Sequence, residues 1–140
     1  DISCSLVGSE MCIRDRSMIS DYRSLETENW QHKLGTDAIA ADIEDINQCI
    51  DTICTTQKGS IPYNPEFGLP LMDFMDKPIN LVASKIAVQT LDTLKLQEPR
   101  ATYQDCKVKE IDENGCLRLL ISYTYNQTSM TKEVSVPWQR

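Results

Sequence analysis

The sequence predicts an α+β domain in which helices come first and pack on an antiparallel sheet that follows. Three observations carry that prediction. Isoleucines recur at helical spacing between residues 39 and 53, and a second apolar-periodic run spans 79 to 94. The last forty residues then switch to period-two alternation broken by short turn signals. At 140 residues, 41% hydrophobic and 25% charged, the chain has ordinary globular composition and the length of one domain. No apolar run approaches the roughly 20 residues a bilayer span needs, so no membrane partner is expected. A net charge of −7 argues against nucleic acid, because phosphate contacts need a basic face. The acidity gives solubility, or suits docking onto basic protein surfaces.

Residues 1–17 stand apart from the rest. LVGSEMCIRDR, Leu6 to Arg16, back-translates codon by codon into a transposase-type sequencing adapter, and is read as non-native in the way a fusion scar would be. The native chain is expected to start at or near Met18. Excluding residues 1–16 drops Arg14, Arg16, Asp1, Glu10 and Asp15, and moves the net charge from −7 to −6. Cys49, Cys54, Cys106 and Cys116 remain, form no CxxC pair, and read as free thiols of a reducing compartment.

Residues 18–35 are polar with isolated anchors at Tyr22, Leu25, Trp30 and Leu34, and predict an arm draped over a surface and tied by Trp30. The domain proper is expected over 36–140. Its first helix is predicted from Thr36, a capping hydroxyl, with Ile39, Ile43, Ile46, Ile50 and Ile53 on one face, about 30 Å long. TTQKGSIPYNPEFG, Thr55 to Gly68, reads as a stiff loop. Pro62 and Pro65 fix their own φ and bias the preceding residues, Gly59 and Gly68 supply positive φ, and Tyr63 and Phe67 are expected to anchor it. A short helical turn in LPLMDFMDKP leads to a second long helix from about Asn80, its expected cap, to Leu96. Its predicted buried face is Ile79, Val82, Ile86, Thr90, Leu91 and Leu94. Three strands then form a meander. Cys106 and Val108 share a face of the first, Leu117 to Tyr125 alternate in the second, and Val134, Val136 and Trp138 share a face of the third, with turns at ENG and NQTS.

Little in the chain signals catalysis. His32 is the only histidine and has no ligand cluster around it in sequence, and there is neither a Walker loop nor a GxGxxG. Neither a metal nor a cofactor is therefore expected. Glu66, set between Pro65 and Phe67, would serve as a glycosidase acid with Asp73 or Asp76 as partner, but a carboxylate in such a turn more often accepts backbone N–H bonds. The tripeptide Glu98-Pro99-Arg100 places opposite charges two residues apart at a helix end. It reads equally as an internal ion pair or as a bipolar contact for a partner.

ICTTQKGSIPYNPEFG, Ile53 to Gly68, followed by QEPR, Gln97 to Arg100, resembles the baseplate wedge and sheath-initiator family of contractile phage tails. That family carries the label lysozyme-like and has a relative in type VI secretion baseplates. The likeness covers about residues 29–138, with Lys58, Gly59, Pro62, Pro65, Glu66, Phe67 and Gly68 in the loop motif, and Cys54 where a Thr is expected. It implies a non-enzymatic component of the virion tail, made in the bacterial host cytoplasm. Its helical side and Glu98, Pro99 and Arg100 would contact inner wedge proteins around the tail tube. Its terminal strand, with Val134, Val136 and Trp138, would pair with the tail sheath protein. The loop would be a rigid corner in which Glu66 bonds backbone, and Glu98 and Arg100 would be exposed. The alternatives are a tail-associated peptidoglycan hydrolase using Glu66 and a nearby Asp, and an anti-adaptor-like regulator with the same fold.

Overall fold

The computed structural model describes residues 29–111 and 115–138. The adapter-like segment, arm residues 18–28 and most of the ENG turn lie outside the described residues. The chain runs through strands β1 (Trp30–His32) and β2 (Ile39–Ala41), helix α1 (Ile43–Thr55), a 3₁₀ turn (Leu71–Phe74), helix α2 (Ile79–Gln97), and strands β3 (Thr102–Ile111), β4 (Cys116–Tyr125) and β5 (Thr128–Pro137). The α+β class holds, with two helices on a three-stranded antiparallel sheet ordered β3-β4-β5.

The first helix starts later than its isoleucine spacing predicts. Ile39 belongs to β2, which pairs antiparallel with β1 as Trp30↔Ala41 and His32↔Ile39. Asp42, at φ 49, turns the chain between strand and helix, and its N–H donates to Asn29 O at 3.0 Å. The helix therefore has 13 residues, about 20 Å at 1.5 Å per residue. Thr36 does not cap it, since Thr36 lies in the hairpin turn, where its N–H donates to Lys33 O at 3.3 Å. The described part of the expected arm, 29–35, is thus a strand and turn laid against α1. Trp30 stays 39% exposed, and the tie is made by glutamines. Gln31 Nε2 donates to Asp45 O at 3.0 Å; Gln48 Nε2 donates to His32 O at 2.7 Å, and its Oε1 accepts from Leu34 N–H at 2.8 Å.

In α2, Val82, Ile86, Thr90 and Leu94 recur every four residues and are buried. Buried Thr90 satisfies its hydroxyl by donating to Ile86 O at 2.8 Å. Pro78, extended at ψ 131, holds the cap position, so Asn80 sits inside the first turn. In the sheet, Leu117, Leu119, Ile121 and Tyr123 alternate into the core opposite Val134 and Val136. Asn126 and Gln127, at φ 46 and 66, make the two-residue β4–β5 turn of primed type that matches strand twist. Helix α1 packs over β5 and α2 over β3. The common core joins Ile46, Ile50 and Ile53 to these strand residues and to Phe74 of the 3₁₀ turn.

Candidate partner-binding surfaces

The sheet has two edges, and they differ. β3 is interrupted by register shifts at Tyr103/Asp105 and at Val108/Ile111, irregularities that blunt an edge. β5 pairs with β4 through ten consecutive partners without a shift, and among the described residues no strand covers its other side. A regular edge of this length offers a row of backbone donors and acceptors. Val134 and Val136 do not face a partner from it. They are 2% and 3% exposed, pointing into the core, and Trp138 is half-buried against the same core. What the edge presents is therefore main chain, with Lys132 held to Asp51 of α1 at 2.9 Å.

The Glu98-Pro99-Arg100 turn is an internal clasp. α2 ends at Gln97, and Glu98 N–H donates to Leu94 O at 2.8 Å. Glu98 is 5% exposed, contrary to the expected surface position, because its carboxylate accepts both Arg100 Nε at 2.6 Å and Nη2 at 2.8 Å. Arg100 Nη1 also reaches Asp45 Oδ2, a buried carboxylate on α1. One guanidinium thus bridges two buried carboxylates from α1 and the end of α2. It holds the Glu98 carboxyl below its usual range, against the opposing pull of burial, while the two carboxylates hold the guanidinium charged. Burial, then the Glu98 and Asp45 charges, push the neighbouring Cys49 thiol up to about 11. Pro99 and part of Arg100 remain exposed. Tyr103, nearby, has a buried hydroxyl without a hydrogen-bond partner; burial, then the Glu98 charge, raise its pKa.

The Thr55–Gly68 loop closes on itself, with Lys58 N–H donating to Leu69 O at 3.0 Å and Leu69 N–H to Thr56 O at 2.9 Å. Gly59 N–H donates to Pro65 O at 3.0 Å inside the ring. Gly68 is required in this geometry. Its φ is +95, and a Cβ there would lie 2.3 Å from Thr56 O. Phe67 packs on the core, whereas Tyr63 is fully exposed and anchors nothing. Glu66 does not brace the backbone with its side chain; its carboxylate pairs with Lys58 Nζ at 2.7 Å and is 75% exposed. That bracing comes instead from Gln97, whose Nε2 donates to Glu66 O at 2.8 Å and whose Oε1 accepts Gly68 N–H at 3.2 Å. Its partners lie 29 and 31 residues away in sequence, so no local pattern pointed to this role of Gln97. Glu66 lines a shallow cleft of about 270 Å³ together with Asp92, whereas Asp73 and Asp76 do not line it. Among the described residues no group of His, Cys, Asp and Glu is placed to hold a metal ion.

Among the solved structures that share this fold, a candidate tail lysozyme from Geobacter sulfurreducens is 24% identical, with TM-score 0.63 over 69% of this chain and 91% of its own. A chain of the anti-feeding prophage baseplate is 20% identical, with TM-score 0.56 over 73% of this chain and 83% of its own. No curated protein sequence matches significantly. The family model described as baseplate wedge protein gp25 matches residues 40–130, from β2 through most of the meander, and the chain belongs to that baseplate wedge family.

Proposed function

We propose that this protein is a structural wedge component of a contractile-tail baseplate that starts sheath assembly by strand pairing along β5. The observation that carries this reading is the asymmetry of the two edges. β3 is broken by bulges, whereas β5 offers ten residues in regular register. Family membership supports the baseplate setting; a position near the tail tube and synthesis in the host cytoplasm are part of this proposal. Inner wedge proteins dock on the helical side, where Pro99 and the open part of Arg100 reach the surface.

The test is a pull-down of the whole chain with the sheath and baseplate proteins encoded alongside it. Capture of the sheath protein and of at least one wedge protein is expected, and capture of neither overturns the reading. Deleting β5 would be a poor control, because it strips Val134 and Val136 from the core.

A second reading, peptidoglycan hydrolysis, has one observation in its favour, the cleft shared by Glu66 and Asp92. Against it, Glu66 is hydrated and ion-paired, the opposite of the apolar setting that keeps a glycosidase acid protonated. Cell-wall clearing by the wild-type chain that disappears in Glu66→Gln would support hydrolysis.

A further inference from the structure

A groove of about 350 Å³ opens beside the middle of β5, between the β1–β2 hairpin, α1 and Lys132. Its place in the fold gives it meaning. Met130, Lys132, Val134 and Val136 form the side of β5 that faces the helix layer, and α1 packs over this strand. A strand added outside β5 would lie ~4.8 Å farther out, its alternate side chains pointing to the same side. Those side chains would pass under the hairpin and enter the groove.

We propose that this groove receives a side chain of the strand that pairs with β5 and selects a neutral, largely apolar one. The inference rests on the strand-pairing reading above. Ala40, 1% exposed, lies in its wall, and Leu34, 71% exposed, stands on the hairpin turn beside it with no core to cover it. The charges lining the groove already answer one another. Lys33 pairs with Glu44 at 3.5 Å, and Lys132 with Asp51 at 2.9 Å. An incoming charge would find every lining charge already paired and no free counter-ion, so the groove favours a neutral side chain. Asn47 adds one polar contact. Its Oδ1 accepts the Tyr123 hydroxyl at 2.9 Å, leaving its amide nitrogen end for another acceptor. The hairpin turn is held in place for this role by Gln48, bonded to His32 O and to Leu34 N–H. Strand addition draws affinity from main-chain bonds and specificity from pockets for alternate side chains. The groove supplies the second.

The experiment measures affinity of the whole chain for the tail sheath protein encoded alongside it, in wild type and three variants. Leu34→Asp puts a charge at the groove mouth, and Glu44→Trp fills the groove from its helical rim. Lys107→Trp places the same bulk on the opposite, β3 edge. Loss of at least tenfold in Leu34→Asp and in Glu44→Trp, with Lys107→Trp unchanged, is expected. Wild-type binding that neither groove variant weakens overturns the groove's role while leaving strand pairing standing. A wild-type chain that does not bind the sheath protein overturns both.

Discussion

At the scale of single residues, the structure turns on side chains whose charges or backbone angles leave no alternative. Arg100 holds two carboxylates that are almost wholly buried, Asp45 and Glu98. Arg100→Ala strands both charges and should destabilise the chain by about 2–3 kcal/mol, below the 3–5 kcal/mol of a fully buried pair because a third of this side chain is exposed. Urea denaturation of the two proteins measures it. Because the folded Glu98 carboxyl titrates below its unfolded value, its contribution is fully present above an unfolded pKa of about 4.3. It is lost as pH falls through the lower folded value. The stability difference between wild type and Glu98→Gln should therefore shrink in that acid window and stay constant above it; a constant difference down to pH 2 would contradict the clasp. Gly68→Ala forces a Cβ against Thr56 O in a left-handed conformation, and should cost on the order of 2 kcal/mol or more in the same denaturation experiment.

At the scale of elements, what could be read in advance divides by periodicity. α2, β4 and β5 were legible because Val82 to Leu94, Leu117 to Tyr123 and Val134 to Val136 each keep one period, whereas β3 changes phase between buried Tyr103 and buried Cys106 at a register shift. The start of α1 was not legible. Ile39 continues the spacing of the helix by coincidence, and only the cross-strand pairing with His32, a contact between residues seven apart, places it in a hairpin. The Glu98-Pro99-Arg100 turn was visible as a motif, but its direction was not, since the deciding partner Asp45 lies 55 residues away from Arg100. Likewise the loop's stiffness was legible from its prolines and glycines, while the brace from Gln97 depends on a tertiary contact with Glu66 and Gly68. The β4–β5 turn supports a prediction at this scale. Gln127 holds φ 66, which Gly adopts without strain, so Gln127→Gly should raise stability by about 0.5–1 kcal/mol. Thermal unfolding read by circular dichroism checks the sign.

At the scale of the whole molecule, the helices and the sheet divide the work. The Asp45–Arg100–Glu98 clasp ties α1 to the end of α2, the core seats both on the sheet, and among the described residues no strand pairs with the outer side of β5. The mid-strand charges of β5 are tied within the chain, Lys132 to Asp51 and Glu133 to Lys109 and Arg118. The most direct test of the account is amide hydrogen exchange across the sheet, in the free chain and in its complex with the sheath protein. Strand pairing predicts that amides of β5 gain protection in the complex while those of β3 exchange as before. Unchanged exchange along β5 in a saturated complex would contradict it.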